Sequence, residues 1–239
     1  MSANLRGVQR VILTGGEPLK RQDILGVISL FHGYPVRALA TNAILLDEKL
    51  AQRLAECIDY VDITIDGPRR INDKIRGQYD QIIDGAKRLS EAGVDFSVVT
   101  VILPQNVESV LYVCQIADVL GAIKLKILPS IPKGRGQGLG LSEFDSGELA
   151  TIFSRIRDEK EKNGWACKIT LTDWKRVGVG HALLVHPDGE VVASPVFSNE
   201  NCAEHVGNIL NEDAAMIWRR YPYKLNHVQK YLGKTLYVC

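Results

Sequence analysis

The sequence predicts an α/β protein with a mostly parallel sheet covered by helices, followed by a small α+β appendage. Three observations carry this. Short apolar, β-branched runs alternate with amphipathic helical stretches from Val8 to about Lys162. The runs are continuously apolar, as strands buried on both faces require. After Gly164 the alternation stops and short strands with tight turns take over. Handedness rules leave a barrel, a partial barrel or a doubly wound sheet.

Val8–Thr14 reads as the first buried strand, with a helix from about Arg21 to His32. Val36–Ala40 is the next strand, and Asp47 caps a helix that runs to about Glu56. Tyr60–Ile65 is a third strand, and a longer helix covers roughly Tyr79–Ala92, stopped by Gly93. Phe96–Leu103, a helix over Val107–Leu120 and a strand over Ile123–Leu128 follow. A Gly-rich loop spans Pro132–Gly140, and Ser142 opens the last long helix. The boundary falls near residue 165, giving domains 1–164 and 165–239. In the second, Lys168–Leu171, Ala182–His186 and Glu190–Ala193 read as short strands, the last two joined by Pro187-Asp188-Gly189. Gly207-Asn208-Ile209 leads into a helix at about Asp213–Tyr221.

Composition excludes several function classes. A net charge of +1 over 239 residues gives no global field for nucleic acid or an anionic membrane. No run approaches the roughly 20 apolar residues of a membrane span. Met1–Gln9 lacks the apolar stretch of a signal peptide, so the cytoplasm is the expected compartment. The five cysteines are scattered and odd in number, which does not suit a disulfide framework. Cys57 and Cys114 sit on helical patterns among apolar neighbours, where a thiol acts as a small hydrophobe.

In parallel βα architectures ligands sit at the carboxyl ends of the strands. After the first strand comes Thr14-Gly15-Gly16-Glu17-Pro18. Two glycines let the backbone approach a ligand and leave polar groups free to bond it. Glu17 adds a carboxylate and Pro18 stiffens the exit, an arrangement suited to an ammonium group. After the second strand comes Thr41-Asn42, and after the third Thr64-Ile65-Asp66-Gly67-Pro68. Arg76-Gly77 supplies a guanidinium for a carboxylate, Gln105-Asn106 follows the fourth strand, and Lys133-Gly134-Arg135-Gly136 the fifth. Together these line one rim with polar groups.

The ordered set from Val8 to Lys162, with Gly-Gly-Glu-Pro, Thr-Asn, Thr-x-Asp-Gly, Arg-Gly and Ile-Pro-x-Gly-Arg-Gly, resembles the radical S-adenosylmethionine (SAM) superfamily. The resemblance implies a partial (β/α)6 TIM-like barrel, here lacking its first strand. It implies a SAM site at Gly15, Gly16, Glu17 and Pro18, which take the methionine ammonium, with Thr64, Asp66, Asn42, Asn106 and Arg76 as further candidates. Pro187-Asp188-Gly189-Glu190-Val191, with Gly207-Asn208-Ile209 and Trp218, is similar to the SPASM or twitch extensions of peptide-modifying and haem-pathway members. Such members act as oxidoreductases or maturases on peptides or small molecules.

The resemblance also implies a [4Fe–4S] cluster on a Cys-x3-Cys-x2-Cys loop upstream of Gly-Gly-Glu-Pro. None of the residues before Gly15 is cysteine, so the chain is expected to begin at the second barrel strand. In the appendage, Gly178 and Ser194 stand where extensions carry cysteine, leaving Cys202 and Cys239 as weak metal-ligand candidates, with Cys202-x2-His205 as half a zinc site. Two readings stay open: the body of a radical SAM enzyme whose cluster loop lies outside this chain, or a cluster-free scaffold that binds SAM or a partner. A first strand left at the sheet edge predicts pairing into a homodimer or with a partner chain.

Overall fold

The computed structural model describes residues 8–130, 144–173, 183–193, 204–222 and 236–239. The chain divides into two compact units. The larger rests on Val8–Ser130, Leu141–Leu171 and Tyr237–Cys239, and the smaller includes Thr172–Leu236.

In the larger unit, β1 (Arg10–Leu13), β2 (Val36–Thr41), β3 (Tyr60–Thr64), β4 (Phe96–Ile102), β5 (Lys124–Pro129) and β6 (Lys168–Thr172) lie side by side in chain order. Every neighbouring pair is parallel. Each parallel step needs a crossover, and right-handed crossovers taken in one direction place their helices on one face of the sheet. The crossovers carry α1 (Ile24–Ser29), α2 (Glu48–Ala55), α3 (Arg69–Ile75), α4 (Tyr79–Glu91), α5 (Val110–Val119) and α6 (Ser146–Asn163). At the far side, β10 (Leu236–Val238) flanks β6. Ile169 and Cys239 exchange both backbone hydrogen bonds, at 2.8 and 3.0 Å, the pattern of an antiparallel pair. The strands form an open row, with β1 and β10 at its ends, and not a closed barrel.

Lys168–Leu171, read from sequence as part of the appendage, instead extends the main sheet. Ile169 and Leu171 are fully buried there, and what places them is pairing with β5, a contact distant in sequence. The core lies between sheet and helices. Val61, Ile63, Val98, Leu125 and Ile127 pack from the strands against Ala86 and Leu89 of α4 and Val113 and Cys114 of α5.

Local signals work where they are strong. Asp47 accepts from the Leu50 N–H at 2.6 Å and caps α2. Asp145 and Glu148 form a reciprocal capping box for α6, and Gly164 ends it at φ 65°. The helix α3 was not predicted, because Arg69-Arg70-Ile71-Asn72-Asp73-Lys74-Ile75 carries only the single Ile71/Ile75 pair at helical spacing.

The smaller unit holds an antiparallel sheet of β7 (Leu183–Val185), β8 (Glu190–Ala193) and β9 (Glu204–Asn208). The predicted turn is present, with Gly189 at φ 84° donating to the His186 carbonyl at 2.9 Å. A Cβ at Gly189 would fall 2.5 Å from Leu210 Cγ, so only glycine fits. The strand β9 was missed by the sequence reading. Asp213 caps α7 (Ala214–Arg219), whose Ile217 completes a small core with Val191, Ala193 and Val206.

Candidate functional site

The carboxyl ends of β1 to β4 bring most of the expected site residues to one rim. They fall into two groups with different bonding.

The first group surrounds the turn after β1. Gly15 sits at φ 154°, outside the range that L side chains favour, and a Cβ at Gly15 or Gly16 would meet nothing within 4 Å. Among the described residues neither glycine carbonyl accepts a backbone hydrogen bond. Pro18 starts a short 3-10 turn (Pro18–Lys20), and Glu17 caps it by accepting from the Leu19 N–H at 3.0 Å. The same carboxylate accepts from the Thr41 hydroxyl at 2.6 Å and from the Asn42 N–H at 2.8 Å. Three of roughly four acceptor positions are therefore used, and one remains for a ligand. Thr41 in turn accepts from the Ala43 N–H at 3.1 Å, which holds Ala43 at φ 64°. A left-handed alanine costs about 1 kcal/mol, so the neighbouring hydrogen bonds must enforce it. Packing helps: a Cβ at Gly85 of α4 would fall 2.2 Å from the Ala43 carbonyl oxygen, so this helix seats directly on the loop that carries Asn42. The Asn42 side chain accepts from the Ile44 N–H at 3.1 Å. Thr64 is half-buried at the end of β3, one register step beyond the Thr41–Ile63 pair, and its hydroxyl makes no hydrogen bond among the described residues.

The second group closes on itself. Asp66 is 1% exposed and accepts from the Val101 N–H at 2.8 Å and the Thr100 hydroxyl at 3.3 Å, while Arg76 Nε binds its other oxygen. Asn106 is 2% exposed; it accepts from the Leu103 N–H at 2.6 Å and donates to the carbonyls of Asp66 and Val101 at 3.0 and 2.9 Å. Asn72, fully buried on α3, accepts from the Asp66 N–H at 3.0 Å. The side chains of Asp66 and Asn106 thus tie the ends of β3 and β4 together, and their burial keeps both away from a ligand. Arg76 spends Nε on Asp66, and its side chain, 38% exposed, retains terminal N–H donors. Sequence reasoning missed Asn72, Thr100 and Gly85, whose roles depend on partners from other elements.

The metal candidates divide as well. Cys202 and the Lys133–Gly136 segment lie outside the described residues. Cys239 packs against the main core beside β6. Burial pushes the Cys239 thiol up, and Cys114 likewise, while Cys167 is pushed up to about 11. In each case the cause is burial, which disfavours the thiolate. Among the described residues no group of three or more His, Cys, Asp or Glu side chains is placed to hold a metal ion. The described residues therefore offer no set of the three or four thiolates that a [4Fe–4S] cluster needs. Nor is any described helix long and apolar enough to cross a membrane.

Comparison with known proteins agrees with this geometry. The radical SAM superfamily model matches residues 1–116. The chain is 26% identical over 166 residues to an AdoMet-dependent heme synthase of Nitratidesulfovibrio vulgaris, covering 67% of this chain and 45% of that protein. It is 31% identical over 173 residues to an Fe-coproporphyrin III synthase of Methanosarcina barkeri, covering 68% of this chain and 43% of that protein. The chain thus spans less than half the length of these relatives. Among solved structures, Streptococcus suis SuiB bound to S-adenosylmethionine superposes with a TM-score of 0.74 at 15% identity, over 91% of this chain and 56% of that one. The protein anSMEcpe with bound AdoMet superposes at 0.71 and 15% identity, over 95% and 71% of the two chains. An open turn of two glycines on a rim of parallel strand ends, the motif order and these similarities agree: the chain belongs to the radical SAM superfamily.

Proposed function

We propose that this chain is the SAM-binding body of a radical SAM oxidoreductase or maturase. The observation that carries the proposal is the Gly15-Gly16 turn, where an added Cβ would meet nothing, whose carbonyls accept no hydrogen bond among the described residues, and which leads into a Glu17 carboxylate with one acceptor position left. That set suits an ammonium group, which offers three donors and no acceptor. Gly15, Gly16 and Glu17 hold the methionine ammonium of SAM, and Pro18 fixes the direction in which the chain leaves. Asn42 and Thr64 present free polar groups next to it, and the outer nitrogens of Arg76 are available for a carboxylate. Asp66 and Asn106 act as positioning residues that keep the Arg76 guanidinium at the rim. Bound SAM supplies a sulfonium whose reductive cleavage starts radical chemistry. The residues of this chain bind and orient it, and no described side chains supply the cluster that passes the electron.

The relatives carry enzyme names, which favours the enzyme reading over a cluster-free scaffold. A peptide or small-molecule substrate follows from the same relatives and from SuiB bound to its precursor peptide. The smaller unit is assigned as a twitch-like extension. Free thiols at Cys57, Cys114, Cys167 and Cys239 suit the reducing cytoplasm.

Calorimetric titration of SAM into this chain tests the proposal. Saturable binding that Gly16→Val abolishes, with the thermal transition unchanged, is expected. Unchanged SAM affinity in Gly16→Val would sink it.

A further inference from the structure

The face of the larger sheet that points away from the helices carries charge that the SAM rim does not use. Side chains alternate along a strand. Leu125 and Ile127 are fully buried on the helix side, which puts Lys124 and Lys126 on the opposite face. Register extends that face sideways, with Asp62 beside Ser97, Ser97 beside Lys124 and Lys124 beside Lys168. The next row on the same face is Thr64, Val99, Lys126 and Thr170. Thr64 is a rim residue, so the cations begin directly beneath the rim.

The charges do not balance. Both oxygens of Asp62 are spent on Lys126 Nζ, at 2.6 and 2.8 Å. That ammonium also stands 5.0 Å from the centre of the Tyr60 ring, whose hydroxyl accepts from Arg10 at 3.2 Å. Lys124 and Lys168 make no salt bridge among the described residues, so Arg10, Lys124, Lys126 and Lys168 face the single carboxylate of Asp62. Burial lowers the Lys124 ammonium from its ordinary value, and Lys126 and Lys168 push it the same way. Like charges side by side on neighbouring strands oppose folding, and neutral residues would remove the cost. The neighbours on this face are small: Ala38 and Ala40 lie beside Tyr60 and Asp62, Ser97 beside Lys124 and Thr170 beside Lys126, while the Lys168 side chain is exposed.

We infer that Lys124 and Lys168 bind the carboxylate groups of an anionic substrate on this face, below the SAM rim. The SAM reading is needed only to call that anion the substrate. An anion placed between the two ammoniums removes their repulsion and gains two charge-assisted hydrogen bonds, while Lys126 stays fixed on Asp62 and sets the rim-side limit of the site.

Citrate is the probe, titrated calorimetrically into the 239-residue chain at low salt, with SAM titrated separately. Citrate binding that weakens with added salt is expected, as is a loss of about tenfold or more in Lys124→Met/Lys168→Met at an unchanged thermal transition. Lys168 is exposed, so Lys168→Met alone reads the same loss at smaller size if the double variant unfolds. Absence of citrate binding, or equal binding in these variants, overturns the inference. Orthophosphate bound as tightly as citrate overturns the assignment to carboxylates. Citrate binding lost with SAM binding retained fails this inference alone, and the reverse result fails the SAM reading alone.

Discussion

Gly15 and Gly67 share φ 154°, each in the turn after a parallel strand, with Glu17 two residues after Gly15 and Asp66 immediately before Gly67. Their surroundings are opposite. A Cβ at Gly15 meets nothing within 4 Å, whereas one at Gly67 would fall 2.9 Å from Ile71 Cγ2 and 3.1 Å from Ile71 Cβ. Asp66, next to Gly67, and Glu17 each accept three hydrogen bonds within the fold, but Asp66 is buried, whereas Glu17 is half-buried and can offer its remaining acceptor position to a ligand. One turn is open and the other is packed shut. A glycine–carboxylate pair after a strand is therefore two different devices: at β1 it exposes backbone to a ligand, and at β3 it locks neighbouring strand ends so that the rim keeps its shape.

This contrast can be broken by substitution. Asp66→Ala should have the largest effect, about 3 kcal/mol of stability lost, because it removes a buried carboxylate and orphans the half-buried Val101 N–H and the partner group on Arg76. Denaturant unfolding measures it, and a loss no greater than that of an exposed aspartate would remove the locking role. Gly67→Ala should cost about 2 kcal/mol, since strain adds to a clash with Ile71, and Gly15→Ala about 1 kcal/mol from strain alone. Equal losses in the two alanine variants would erase the distinction between the turns. Glu17→Gln should cost roughly 1 kcal/mol while weakening SAM binding, because an amide keeps the shape but loses charge and one acceptor. The smallest effect concerns the edge of the sheet. β1 has no strand partner on its outer side among the described residues, and pairing there predicts a dimer by light scattering that Ile12→Lys disperses. A monomer at every concentration counts against it.

Much of the larger unit was legible in the sequence because its signals are local. Apolar β-branched runs, Asp47 as a cap and the stop at Gly93 each act within a few residues. The strand Lys168–Thr172 and the helix Arg69–Ile75 were misplaced or missed, since one is decided by pairing with β5 and the other by Asn72 reaching back to Asp66. The candidate rim was legible as a set of residue types at strand ends. Their division of labour was not, because Asp66 and Glu17 look alike until their partners are known.

The sequence by itself determined the βα order, the family and the presence of a two-glycine turn after β1, all properties of residues in order along the chain. Tertiary structure decided that Gly15 lies open and Gly67 closed, that Gly85 lets α4 hold the Asn42 loop, and that Lys124 stands beside Lys168 on one face. Each of these depends on what a distant segment places opposite a residue. Packing and register set that distance, and no local pattern carries it.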